Sequence, residues 1–183
     1  MIDMKKKQTV LYGTISFPIW LLVFIPKAWL FLLPGLLLLN FAALFLLLRA
    51  DAKRYGGEGS SKELLAKAGK CVVPAWFFSF IGWLLGSSMT MLLAYVPGLI
   101  AGEESWWTLR VTDPVSSNPL TSFVAILVTL AAIAFGGCII YCLNKRFSFN
   151  KLDLDDDEIR RMAIRMALIT APYILLIPSE WLW

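Results

Sequence analysis

Few residues in this sequence have the chemistry of a catalytic or metal-binding site. The chain contains no histidine, which removes the side chain most often used as a general base, a proton relay or a zinc ligand. No Asp or Glu lies in the middle of a long uncharged run, so a carboxylate site that couples transport to protons or sodium ions has no evident position. We therefore expect a protein that is not an enzyme, with no catalytic, cofactor-binding or metal-binding residues.

Three cysteines, at positions 71, 138 and 142, are the remaining residues with reactive side chains. Cys138 and Cys142 are four residues apart and so share one face of a helix. All three are expected near the cytoplasmic side, where a reducing environment disfavours a disulfide. We interpret them as small core residues. S-acylation of Cys71 or Cys142 close to the lipid headgroups is the alternative.

An acidic cluster at 153–158 has the spacing of the first half of a calcium-binding loop. The match fails in detail, because Glu158 stands where the loop needs a turn glycine and Ile164 where it needs a bidentate acid. A helix start is the better interpretation. Asp155 can cap the helix, Glu158 follows three residues later, and acidic side chains stabilise the positive end of a helix.

Polar residues inside the apolar runs are the other candidates for function. Asn40 falls near the centre of one run, where an unpaired amide is costly. A hydrogen bond to another helix is the simpler explanation. The alternative hypothesis is an intramembrane polar cluster that lines a polar path or a substrate cavity, with Asn40, Ser87, Ser88 and Thr90 as its members.

The composition indicates which kind of elements must position these residues. Of the 183 residues, 58% are hydrophobic and 16% are charged, and the mean hydropathy is +0.70. Soluble domains have roughly 45–50% apolar and about 25% charged residues, and a chain of this size cannot bury such an excess. The composition excludes a soluble enzyme, a disordered protein and a nucleic-acid-binding module, and indicates a helical membrane protein.

The uncharged runs predict an all-α, polytopic fold in which residues 1–183 form a single integral membrane domain. A helix needs about 20 apolar residues to cross a hydrocarbon core of roughly 30 Å. We predict five transmembrane helices, arranged as two hairpins and a C-terminal helix. The last of them either crosses fully or is re-entrant. The spans are 9–26, 28–48, 72–98, 120–143 and 158–178.

Basic residues predict the orientation, because Lys and Arg accumulate in cytoplasmic segments. With a cytoplasmic N-terminus, every basic residue except Lys27 and Arg110 lies on the inner side. The inner loops are then 49–70 and 144–157, and the outer loop is 99–119. The net charge of +4 therefore reflects orientation in a membrane, which we expect to be the cytoplasmic (plasma) membrane, rather than nucleic-acid binding.

Small residues spaced four apart predict three helix faces at which another helix can approach closely. Such close approach gives packing energy that contact with lipid cannot supply. Packing within the chain is the simpler interpretation, and packing against another protein is the alternative. The candidate residues are Gly82, Gly86 and Thr90 in the third predicted span, Ala132 and Gly136 in the fourth, and Ala163, Ala167 and Ala171 in the fifth.

Two functional hypotheses follow from these features. The first is a non-catalytic subunit, an accessory or scaffold component of a larger membrane assembly that is related to transport or secretion. The second is a homo-oligomeric channel or small-solute permease. Both predict the lipid bilayer as the environment and either other membrane subunits or copies of the same chain as partners, with no nucleic acid. A membrane-embedded enzyme is a weaker third, because the inner loops alone would have to supply its chemistry.

Overall fold

Three apolar helices dominate the fold. The computed structural model describes residues 24–54, 61–152 and 154–179, and within them all regular structure is helical, which confirms the all-α class. Among the described residues, the helices that are able by length and composition to cross a membrane are Trp29–Ala52, Lys62–Ala101 and Phe123–Lys151. The chain is therefore a multi-pass membrane protein. The predicted spans 28–48, 72–98 and 120–143 fall on these helices, whereas the span 9–26 lies outside the described residues apart from 24–26.

The first two spanning helices, α1 (Trp29–Arg54) and α2 (Ser61–Thr90), lie antiparallel. At one end, Trp29 meets the ring of Phe80 edge to face, with 5.3 Å between the ring centroids. At the other end, the last leucines of α1 share a buried apolar cluster with Leu64 from the start of α2. The two contacts fix the relative register of the pair.

Helix α2 continues without a break through a π-helical turn, Met91–Tyr95, into α3, Val96–Ala101. The continuous helix has 40 residues, a length of about 60 Å, which is longer than the predicted span 72–98. It does not end at Pro97, although proline lacks the N–H that a helix interior uses; Pro97 comes just after the π-helical turn, a local irregularity of the kind at which helices accommodate such a residue. It ends at Gly102, whose φ of 92° is accessible to glycine without steric cost.

The predicted loops contain helix. Residues 49–54 belong to α1 and 61–70 to α2, so the described parts of the segment predicted as the inner loop 49–70 are helical. The outer loop predicted at 99–119 contains the short helix α4 (Asp113–Ser117) and, just before it, a π-helical turn. Trp107 Nε1 donates to the carbonyl oxygen of Ala94 at 3.1 Å, which holds this segment against the end of the long helix.

The third spanning helix, α5 (Phe123–Leu143), also extends beyond its prediction. It continues through a π-helical turn, Asn144–Ser148, and a 3-10 turn, Phe149–Lys151, although 144–157 was predicted to be an inner loop. The fully buried Phe149 packs into the apolar cluster shared by α1, α2 and the last helix. Burial of this side chain favours continued helix over an exposed loop.

A continuous C-terminal span at 158–178 is wrong. Helix α6 runs from Asp156 to Thr170, has 15 residues and is amphipathic. It stops because Pro172 disfavours the helical conformation at Ala171, whose ψ is 153°. A 3-10 turn, Tyr173–Leu176, follows. The predicted start is confirmed, since Asp155 caps the helix and accepts from the N–H of Asp156 at 2.8 Å.

Helices α2 and α5 pack closely where they cross. A Cβ atom placed on Gly82 would be 2.8 Å from the carbonyl oxygen of Gly136, and one on Gly136 would be 2.7 Å from the carbonyl oxygen of Gly82. The ring of Pro172 fits into the same crossing, with Cγ 3.1 Å from a Cβ placed on Gly86 and 3.0 Å from one on Gly136. The glycines therefore admit both a neighbouring backbone and the proline ring.

The other small-residue candidates are distributed over several contacts. Ala132 is fully buried, and its carbonyl oxygen lies 3.3 Å from a Cβ placed on Gly86. Thr90 is buried too, and its hydroxyl donates to the Gly86 carbonyl of its own helix at 3.1 Å. On α6, Ala163 packs into the cluster with α1 and α2, whereas Ala171 belongs to a second apolar cluster at the opposite end of α5. Ala167 lines a groove between α6 and α5.

Alanine at Gly82 should destabilise the fold, whereas alanine at Gly35 should not. The new Cβ in Gly82→Ala meets backbone that cannot move aside, so we expect a loss of about 1–3 kcal/mol. Gly35 has no other atom within 4 Å of such a Cβ, and Gly35→Ala should gain up to about 1 kcal/mol from reduced backbone entropy. Thermal unfolding of both variants in one detergent checks this. Equal melting temperatures would contradict the close crossing.

Candidate functional site

Buried polar side chains join α1, α2 and α6 in the middle of the apolar layer. Asn40 is completely buried and donates from Nδ2 to the carbonyl oxygen of Leu36 at 2.7 Å. The Ser79 hydroxyl donates to Asn40 Oδ1 at 2.8 Å and lies 3.3 Å from Thr170 Oγ1. Thr170 Oγ1 in turn donates to the carbonyl oxygen of Met166 at 2.8 Å. We call Asn40, Ser79 and Thr170 the polar chain.

Hydrogen bonding within the polar chain is close to complete. Ser79 has one hydroxyl proton, which goes to Asn40 Oδ1 at the shorter of its two distances. These side chains belong to three different helices at one level: the Ser79 bond connects α2 to α1, whereas the Thr170 hydroxyl bonds within α6 and lies beside Ser79. The chemistry of an amide and two hydroxyls is that of a structural link, since none of these groups ionises near neutral pH.

The end of α6 lies directly beside the polar chain and has its own hydrogen-bond donors. Trp83 Nε1 donates to the carbonyl oxygen of Thr170 at 2.8 Å, and the Tyr173 hydroxyl donates to that of Leu168 at 2.7 Å. These carbonyls belong to the last turn of the helix, where no helical N–H follows. An unsatisfied carbonyl in hydrocarbon costs several kcal/mol. The two aromatic donors therefore make the break in the helix tolerable.

The structure does not bring the sequence-predicted polar cluster together. Ser79, the actual partner of Asn40, lies eight positions before Ser87, or about 12 Å along the axis of α2. The Ser88 hydroxyl donates to the carbonyl oxygen of Leu84 at 2.9 Å, within its own helix, as Thr90 also does. Sequence reasoning missed Thr170. Pro172 could have indicated Thr170 from the sequence, because a proline marks a helix end, and the last carbonyls of that helix lie close to this threonine.

Some buried polar atoms have no hydrogen-bond partner among the residues that the structure describes. They are Ser87 Oγ, Thr129 Oγ1, Asn144 Oδ1 and Ser148 Oγ. Each belongs to α2 or to the helix that begins with α5. An unpaired buried hydroxyl costs about 1–3 kcal/mol relative to a paired one. A bound water or a polar solute would therefore gain the most binding free energy by forming hydrogen bonds to these atoms.

The cysteines divide into two groups. Cys71 is fully buried and its Sγ donates to the carbonyl oxygen of Ser148 at 3.4 Å, which confirms it as a core residue. Cys138 and Cys142 are exposed on α5, so their assignment to the core is wrong. S-acylation of Cys142 stays a prediction. Across the described ranges, no three His, Cys, Asp or Glu side chains are close enough together to hold a metal ion.

Two ion pairs anchor α6 at its polar end. Arg165 Nη1 lies 2.8 Å from Asp51 Oδ1 at the end of α1, and both side chains are about one third exposed. Lys145 Nζ lies 3.6 Å from Asp156 Oδ2, which joins the continuation of α5 to the first turn of α6. Because these pairs are partly solvated, their contribution to stability is modest. They link α6 to α1 and to the continuation of α5.

Comparisons of the chain with protein-family models, with curated proteins and with solved structures find no match.

Alanine at Ser79 should destabilise the bundle more than alanine at Ser88. Ser79→Ala removes the donor to Asn40 in a neighbouring helix, and polar contacts of this kind between membrane helices contribute about 1 kcal/mol. The Ser88 hydroxyl bonds only within its own turn, so Ser88→Ala should change stability by less than about 0.5 kcal/mol. Unfolding in mixed micelles measures both. Equal losses would show that Ser79 forms no stabilising link between helices.

Proposed function

We propose that the chain is a non-catalytic integral membrane subunit, an accessory or scaffold component of a larger membrane assembly related to transport or secretion. The proposal rests on the hydrogen bonds of the Asn40 side chain. This central amide bonds to Leu36 and Ser79 inside the bundle, so it contributes to holding α1 and α2 together. A polar group that lined a solute path would instead need to point into an open, wet space.

The outer face of α1 supports association with other membrane components. Large apolar side chains protrude along its whole length, from Phe31, which is 82% exposed, to Leu46, which is 60% exposed. Gly35 lies on the same exposed side, and nothing in the chain approaches within 4 Å of a Cβ placed there. Such a face must be covered by lipid or by another helix, and small residues on it permit close approach of a partner.

We also propose that the basic end of the bundle faces the cytoplasm in a plasma membrane. The end of α1, the start of α2 and the extension of α5 share one buried cluster, so they lie at the same end of the bundle. Exposed Arg49, Lys67 and Arg146 therefore lie at one end, whereas Arg110 follows the opposite end of the long helix. A concentration of Lys and Arg at one end is typical of the cytoplasmic side of a membrane protein. The predicted cytoplasmic N-terminus lies outside the described residues.

The second candidate is a homo-oligomeric channel or small-solute permease. The observation in its favour is the pair of buried hydroxyls, Ser87 Oγ and Thr129 Oγ1, which lack partners among the described residues. Hydroxyls on α2 and α5 would contact a polar solute only if these helices separated. The glycine crossing at Gly82 and Gly136 opposes that separation.

The orientation proposal predicts opposite labelling of two single cysteines. In a background with alanine at the three native cysteines, Lys67→Cys and Glu103→Cys place exposed thiols at opposite ends of the bundle. A membrane-impermeant maleimide should label Glu103→Cys on intact cells and Lys67→Cys only after lysis. Labelling of both variants on intact cells, or the reverse pattern, would contradict the proposed orientation.

The subunit proposal predicts a different protein bound in fixed ratio. Extraction directly into lipid nanodiscs preserves weak helix contacts, and native mass spectrometry then gives the mass of each assembly. We expect this chain together with a second, different membrane protein. A closed homo-oligomer with no other protein attached would contradict the subunit proposal and favour the channel or permease, for which solute flux would be the next measurement.

A further inference from the structure

A groove of about 270 Å³ runs along the surface between α5 and α6. Its walls are almost entirely apolar, with Ala134, Gly137 and Cys138 from α5 facing Ile164 and Leu168 from α6. The groove opens outward from a helix that is long and apolar enough to cross a membrane. A flexible apolar chain is therefore the kind of group that fits its volume and lining.

A second, polar depression continues this groove at the start of α6. It is lined by Asp157, Arg160, Arg161 and Ile164, and Ile164 also lines the apolar groove. These positions share one face of the helix, since they are spaced three and four residues apart. One face of α6 thus changes from two arginines to an apolar lining within about two helical turns.

The two arginines lie at the basic end of the bundle, where we place the lipid headgroups. Arg165, one turn further along α6, pairs with Asp51, which is next to the last residue of the apolar helix Trp29–Ala52. Arg161 precedes it by about 6 Å along the helix axis, which places it beyond the apolar layer. Both Arg160 and Arg161 are exposed. Arginine is well suited to bind a phosphodiester, because its planar group donates two parallel hydrogen bonds.

We propose that this face of α6 binds one anionic glycerophospholipid. Its phosphodiester contacts Arg160 and Arg161, and one acyl chain lies in the groove between α5 and α6. Basic pockets between membrane helices bind acidic headgroups in this way. The Asp157 carboxylate lines the same depression as the two arginines. Together the three side chains have a net charge of about one positive unit, which favours a singly charged headgroup over a multiply phosphorylated one. The Asp157 carbonyl also accepts from Arg161 Nε at 3.2 Å, which orients that side chain.

The test measures retained lipid on the full chain. Nanodiscs made from equal parts of phosphatidylcholine and phosphatidylglycerol supply both headgroups, and native mass spectrometry counts the lipid that remains after release. We expect one phosphatidylglycerol per chain. In Arg160→Gln/Arg161→Gln its affinity should fall about 30-fold. In Ala134→Phe, which fills the groove without touching the arginines, retention should also be lost.

Matched controls separate a defined site from general attraction. Lys62→Gln/Lys67→Gln removes the same charge from exposed positions on α2, and Ala131→Phe adds the same ring to an exposed position of α5 outside the groove. Both should retain the lipid. Equal loss in these controls, retention of phosphatidylcholine as readily as phosphatidylglycerol, or unchanged retention in either target variant would overturn the proposal. So would displacement by millimolar glycerol phosphate, since that would identify a phosphate site and not a lipid site.

Discussion

Hydrocarbon offers no hydrogen bonds, and this constraint governs the interior of the bundle. A backbone or side-chain polar group at membrane depth is costly unless the protein supplies its partner. The most demanding place is the end of α6, where Pro172 stops the helix beside apolar neighbours. Trp83 and Tyr173 supply the missing donors there. Thr170 is thereby tied to α2 through its carbonyl oxygen and approached by Ser79 through its hydroxyl.

Close packing and hydrogen bonding depend on each other at this level of the bundle. Gly82 and Gly136 bring α2 and α5 together, and the ring of Pro172 enters the same crossing. A larger residue at Gly136 would meet the ring of Pro172 and push the proline outward, whereas a larger residue at Gly82 would meet the backbone of Gly136. The small residues permit α2 and α5 to touch, and they also leave room for the proline at the end of α6.

Interior and exterior of the bundle therefore have different roles. Inside, the amide of Asn40 is occupied in joining helices, which supports a subunit with a structural role. Outside, α1 offers an exposed apolar face, and α6 offers a face that changes from arginine to an apolar groove. The surfaces available for recognition are therefore those that contact lipid or neighbouring helices.

The amino-acid composition and the uncharged runs were enough to predict the class of protein and its main helices. The apolar excess requires lipid contact, and three of the predicted spans fall on long apolar helices, because hydrophobic length is a local property that tertiary contacts change little. Other outcomes depended on tertiary contacts. These are the extension of helices into predicted loops and the break in the last segment. The third is the pairing of Asn40 with Ser79 and not with Ser87 or Ser88. These outcomes depend on which residues of distant segments come within bonding distance. The burial of Phe149 and the crossing at the glycines set those distances, and no periodicity in a single segment encodes them.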